Sequence, residues 1–175
     1  MTPDSQTGPS IYRARLFTLL GDQDPLEIMA HTPSTLAEIV RTHPAAVLRT
    51  RPFAGKWTPN EIIGHLVDSE WVYGYRLRLM LCESNPMIMG TNQDSWVAAQ
   101  RHNEREPSEL VEMFRTLRQL NLASWKLMSP ADLKRTGQHN ERGPESLALM
   151  LRMLAGHDLS HSDQISRYIL AGRRE

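Results

Sequence analysis

The chain has 175 residues and one cysteine, Cys82. A lone thiol excludes an internal disulfide framework and any metal site built from cysteine alone. It suits a reducing compartment, so the expected location is cytoplasmic. Aromatic residues are scarce, with three Phe and four Tyr, a balance that favours helices over sheet. No apolar run approaches the ~20 residues needed to cross a membrane, and the polar segment 1–10 has no stretch of signal-peptide type. Charge of one sign does not accumulate either: Lys plus Arg and Asp plus Glu are 20 each. Without a basic run, a nucleic-acid partner has no electrostatic footing. Strand-like alternation, internal repeats and low-complexity segments are missing as well. What remains is a single globular domain over 1–175, with 1–10 flexible and enough chain for a proper core.

Prolines stand where helices begin. Asp24-Pro25-Leu26-Glu27 and Thr58-Pro59-Asn60-Glu61 each combine a capping residue, proline at the first helical position and glutamate at the third. Four substantial helices follow. The spacing predicts them over 25–42 (with a break at Thr32-Pro33), 59–83, 107–127 and 144–171. Gly172 ends the last, and Arg173 and Arg174 suit its negative end. A short helix is expected over 94–101 and an extended loop over 47–57. The expected fold class is all-α: a four-helix bundle with long connections and short extra helices.

Histidines carry the chemistry. His157 and His161 are one helical turn apart and share a face. At ~100° per residue, Met150, Met153, His157, His161, Gln164 and Tyr168 form one narrow stripe. Two imidazoles on a core stripe need partners. Backbone or carboxylate groups would serve, and so would one metal ion. His65, early in the second long helix, supplies a third imidazole if the two helices are neighbours. Three histidine ligands would leave a coordination position open, as catalytic sites do. Zinc or nickel suits this donor set, and iron or cobalt is compatible. Asp68, one turn beyond His65, has three open roles: hydrogen-bond acceptor for His65, direct ligand, or salt-bridge partner. Glu61 is assigned to the capping box with Thr58. The zinc-peptidase pattern H-E-x-x-H is not met, because Asp158 follows His157. Asp158 lies off the ligand face, where a surface or helix-packing role is expected. Cys82 reads as a small packing residue. His31, His43 and His102 read as solvent-facing at helix ends, and His139 as a residue near the pocket mouth.

The segment Gly55-Lys56-Trp57-Thr58-Pro59 with Gly64-His65-Leu66-Val67-Asp68-Ser69-Glu70 resembles the second-helix signature of the DinB superfamily of YfiT-like proteins. Phe114-Arg115-Thr116-Leu117-Arg118 resembles its third-helix segment, and Gly156-His157-Asp158-Leu159-Ser160-His161-Ser162-Asp163-Gln164-Ile165 its closing motif. The resemblance runs in the same order from about Leu36 to the C-terminus. It implies a four-helix bundle binding a divalent metal through His65, His157 and His161, and a homodimer. Relatives of this kind include thiol-dependent S-transferases, an isomerase and proposed metal-dependent hydrolases.

The leading expectation is therefore metal-dependent activation of a low-molecular-weight thiol for transfer to an electrophile held near Met150, Met153 and Tyr168, with Gln164 positioning the thiol or a water. The alternatives are hydrolysis by an activated water, with Asp68 as base, and a non-enzymatic module stabilised by a structural metal.

Overall fold

The computed structural model describes residues 9–172. In chain order its elements are α1 (Pro9–Leu20), α2 (Pro25–Thr42), α3 (Ala45–Arg49), α4 (Pro59–Cys82), β1 (Met87–Ile88), α5 (Gln93–Ala99), α6 (Pro107–Trp125), β2 (Thr136–His139), β3 (Gly143–Ser146) and α7 (Leu147–Gly172). Short 3-10 turns precede α6 at His102–Glu104 and β2 at Asp132–Lys134. The bundle is formed by α2, α4, α6 and α7, the four helices expected from the prolines.

The helix starts follow from side-chain chemistry. Asp24 accepts the Leu26 N–H at 2.8 Å at the head of α2. Thr58 and Glu61 close the expected capping box on α4: Glu61 N–H donates to Thr58 Oγ1 at 3.1 Å and Thr58 N–H to Glu61 Oε2 at 2.7 Å. α7 starts later than expected. Pro144 and Glu145 lie in β3, and the cap is Ser146, whose Oγ accepts the Leu149 N–H at 3.1 Å. β3 is an edge strand in the order β1-β2-β3, where a residue lacking an N–H is tolerated. β1 pairs parallel and β3 antiparallel with β2. These short strands gave no alternation long enough to read in sequence.

Two further departures have physical reasons. α1 was not foreseen: its apolar residues form no clean stripe, yet Leu16 and Leu20 are buried. Gly156 on α7 allows its close approach, because a Cβ there would lie 2.6 Å from the Leu16 carbonyl oxygen. Of the segment 1–10 expected to be flexible, residues 1–8 lie outside the described residues, as do Arg173 and Arg174, while Pro9 and Ser10 begin α1. The expected loop after Val47 begins instead with the last residues of α3. Cys82 is exposed, so it is not a packing residue.

α2 runs unbroken through Pro33. Proline cannot donate to the carbonyl four residues back, here that of Met29. That acceptor is taken by Arg118 of α6, whose Nη1 donates to Met29 O at 2.8 Å. Arg118 is 1% exposed and also pairs with Asp158 of α7 (Nη2 to Oδ1, 2.9 Å) and Glu70 of α4 (2.8 Å). Thr32 donates to Asp158 Oδ2 at 2.7 Å, and Asn121 donates to Glu70 Oε2 at 2.9 Å. One guanidinium thus reaches all four bundle helices. Burial opposes its charge, but Asp158 and Glu70 outweigh that and hold its pKa above the ordinary value.

The apolar core divides on either side of this polar layer. One cluster includes Leu36, Ile62, Leu66, Phe114 and Ile165. The other includes Met29, Leu77, Leu122, Leu147 and Leu154. Along each bundle helix buried polar residues fall between the stretches feeding the two clusters: Thr32, Asp68 to Glu70, Arg118 with Asn121, and His157 to Gln164, with His65 one turn earlier among residues of the first cluster. Removing one member of a buried charge set leaves the others uncompensated. Arg118→Leu is expected to lower the unfolding free energy by about 3–5 kcal/mol in urea denaturation; a loss below about 1 kcal/mol would contradict this role.

Candidate metal centre

His65 on α4 and His157 and His161 on α7 meet inside the bundle, all buried. His157 Nε2 lies 3.0 Å from His65 Nε2 and 3.1 Å from His161 Nε2. The one-turn spacing on α7 and the packing of α4 against it accomplish this, as the sequence led us to expect. Ligand nitrogens on a tetrahedral zinc ion sit roughly 3.3 Å apart, from Zn–N bonds of about 2.0–2.1 Å, so these two separations lie within a few tenths of an ångström of those in a ligand set.

The protonation chemistry fits the same group. Burial, reinforced by the other imidazoles, pushes His65 and His157 well below their ordinary pKa of 6.5. The rings are neutral at pH 7 and keep lone pairs to offer a cation. His161 Nδ1 lies 2.9 Å from Gln164 Oε1. That carbonyl can only accept, so Nδ1 carries the proton and Nε2 the lone pair. His157 Nδ1 is buried without a hydrogen-bond partner. An imidazole so placed, its other nitrogen facing two more ring nitrogens, is poorly satisfied by protein alone. One divalent ion would engage all three Nε2 atoms.

The ring of Trp57, the residue before the α4 cap, packs on His65 with centroids 4.9 Å apart. Ser69 Oγ is 3.5 Å from His65 Nε2. Asp68 does not bond to His65. Its Oδ1 accepts from Gln100 Nε2 at 2.8 Å, and its Oδ2 lies 2.9 Å from His102 Nε2. His102 is 1% exposed, so the solvent-facing reading of that residue is corrected. Gly64 makes room for it, since a Cβ there would meet the His102 ring at 2.2 Å. Sequence reasoning missed the roles of Gln100 and His102: the helix expected over 94–101 ends at Ala99, and both residues follow it, where periodicity no longer gives direction. Gln164 touches His161, and Asp158 is committed to Arg118 as a helix-packing ion pair.

A cavity of about 250 Å³ opens beside the cluster, with His65 and His157 in its wall. Met153 lines it. Met150 and Tyr168 do not; they belong to the two apolar clusters, so the expected placement of a substrate among all three is corrected. The cavity lies along α4 instead, over Asp68, Ser69, Val72, Tyr73 and Arg76. Two connections complete it: Gly90, Thr91 and Gln93 come from one, Glu141 and Arg142 from the other. His139 is not at the mouth. It is buried in β2, where its Nδ1 accepts the Glu141 N–H at 3.1 Å, and burial beside Arg142 lowers its pKa to about 4.

Fold and site define a class: a helical bundle with a three-histidine cluster able to hold a metal ion. The chain belongs to the DinB superfamily, whose model matches residues 29–165. It is 27% identical over 135 residues to a protein of Bacillus mycoides (strain KBAB4), with 77% of each chain covered. It is 29% identical over 114 residues to one of Oceanobacillus iheyensis, with 65% of each covered. Both are named "Putative metal-dependent hydrolase". Among solved structures it is similar to YfiT from Bacillus subtilis, described as "a probable metal-dependent hydrolase with an unusual four-helix bundle topology". The TM-score is 0.72 at 20% identity, covering 95% of this chain and 92% of that one. Among the described residues no helix is long and apolar enough to cross a membrane.

The neutral rings give a signed pH dependence. In the unfolded chain His65 and His157 take up protons near pH 6.5, whereas in the folded site they do so only well below it. Their contribution is intact above pH 6.5 and is lost as pH falls toward the folded values, at about 1.4 kcal/mol per ring per pH unit. The metal-free protein should therefore show a lower urea midpoint at pH 5.5 than at pH 7.5. A His65→Gln/His157→Gln variant should show a weaker dependence, and equal slopes in the two proteins would refute the assignment.

Proposed function

We propose that this chain is a metal-dependent hydrolase in which His65, His157 and His161 hold one divalent metal, zinc or nickel in the first instance. The observation that carries the reading is the convergence of three buried imidazole nitrogens beside an open cavity, with His65 and His157 in its wall. When bound, a metal with three protein ligands and an open position supplies a Lewis acid that polarises a carbonyl and acidifies a water.

The chain's own residues divide the remaining work. Gln164 fixes the tautomer of His161 through Nδ1, so that Nε2 faces the cluster. Trp57 packs against His65 and restricts its ring. Asp68 is the proposed general base: it lines the cavity one turn from His65, with its carboxylate aimed by Gln100 and His102. In that role it takes the proton from the attacking water, and His102, on its other oxygen, stabilises the arrangement. The names of the relatives support hydrolysis. Thiol transfer, the first expectation from sequence, uses the same open position and differs in requiring an added thiol.

Protein purified without a metal-affinity tag is expected to carry about one divalent metal per chain and to lose it in His157→Ala/His161→Ala. Chelator-sensitive hydrolysis of p-nitrophenyl acetate should proceed without thiol, and Asp68→Asn should lower kcat by roughly 10²–10⁴ with metal content unchanged. A strict requirement for added thiol would move the assignment to thiol transfer. Failure to take up any metal would leave the histidines as packing residues.

A further inference from the structure

Arg76 is a buried cation in the cavity wall to which the metal-centre reading gives no task. It is 5% exposed and lines the same cavity as His65 and His157. Among the described residues no carboxylate lies within ion-pair distance of it. Its Nη2 donates to the Met89 carbonyl at 2.6 Å, and its guanidinium lies over the Tyr73 ring, 5.1 Å from the centroid. The nearest comparable cation, Arg142, is by contrast held by Glu145 through two bonds of 2.6 and 2.9 Å. Burial lowers the pKa of Arg76, Tyr73 and Glu145 oppose that, and Arg142 adds to it. Guanidinium nonetheless stays charged under all ordinary conditions.

A buried arginine without a carboxylate is costly unless something else completes it. Arg118, in the same bundle, shows the usual solution with two carboxylates. At Arg76 the cavity replaces them. His65, Asp68, Ser69, Val72 and Arg76 recur at helical spacing along one face of α4 and together form the cavity wall. Eleven residues separate His65 from Arg76, three turns and roughly 16 Å of axial rise. Side chains on a helix lean toward its N-terminus alike, so this offset sets the span between the two groups. The exposed Glu141 and the hydrogen-bonded Asp68 also border the cavity. They disfavour an anion away from the guanidinium, and the other cation of the cavity, Arg142, is held by Glu145.

Resting on the proposed metal site for the reacting end, we propose that Arg76 is the specificity residue of the cavity: the substrate is an elongated molecule with a terminal oxyanion, carboxylate or phosphate, held by Arg76 while its reacting group lies at the three histidines. Planar, bidentate recognition of such groups is what arginine does best.

The test uses the metal-free full-length chain, so that anion binding is read apart from any metal. Succinate and inorganic phosphate are titrated calorimetrically into the wild type, Arg76→Gln, Arg76→Lys and the exposed control Arg167→Gln. At least one anion should bind one per chain, weakened about tenfold or more in both Arg76 variants and unchanged in the control. The tighter of the two identifies the oxyanion class. Should Gln unfold the chain by circular dichroism, Lys decides, because it keeps the charge and loses the fork. No binding of either anion to the wild type, or equal affinity in the Arg76 variants, overturns the proposal. Metal content, measured separately by elemental analysis, decides the histidine reading whatever the anions do.

Discussion

Arg118 is the constraint on which the rest of the bundle depends. A guanidinium 1% exposed would be prohibitive alone, and the chain surrounds it with a partner from every other bundle helix: Met29 O of α2, Glu70 of α4 and Asp158 of α7. The same contact explains why Pro33 does not break α2, since the carbonyl it leaves unpaired is the one Arg118 occupies. The ion set also fixes rotation. Adjacent residues on a helix point about 100° apart, so anchoring Asp158 against Arg118 turns His157 away from α6 and toward α4. His161, one turn on, follows. The metal-centre geometry is in this sense set by a salt bridge that touches none of its imidazoles.

The polar layer has two halves with opposite electrostatics. Around Arg118 the groups are charged and held in ion pairs, one cation against two carboxylates. At the metal centre His65 and His157 are neutral, the ring nitrogens converge, and His157 Nδ1 has no hydrogen-bond partner. A closed ion cluster contributes rigidity and register, whereas converging acceptors are completed by a cation. Both halves lie between two apolar clusters, which exclude water from the Arg118 side. The cavity over α4 leaves the histidine side accessible. A bundle stiff on one side of its polar layer and open on the other is suited to holding a metal with a position free for substrate.

Much of this was legible in the residues. Thr58 with Glu61 and Asp24 with Pro25 announced their helices through local capping chemistry, which needs no tertiary context. His157 and His161 share a face by spacing alone, and Gln164 falls on the same stripe. What could not be read depends on long-range contacts. His102 and Gln100 reach Asp68 from an irregular connection with no periodicity to orient them. α1 lacks a stripe and is ordered by burying Leu16 and Leu20 against α7. Pro144 imitated a helix start while belonging to an edge strand, because the same residue suits both positions. Asp158 was placed off the ligand face, as found, but its buried partner Arg118 lies forty residues away on another helix.

The central claim is that three imidazoles share one metal ion. X-ray absorption at the metal edge of zinc-loaded protein tests it most directly. The account predicts one zinc per chain with about three imidazole nitrogens near 2.0–2.1 Å and about one further light atom, reverting to solution-like scattering in His157→Ala/His161→Ala. A shell without imidazole scattering, or one unchanged in that variant, would contradict it.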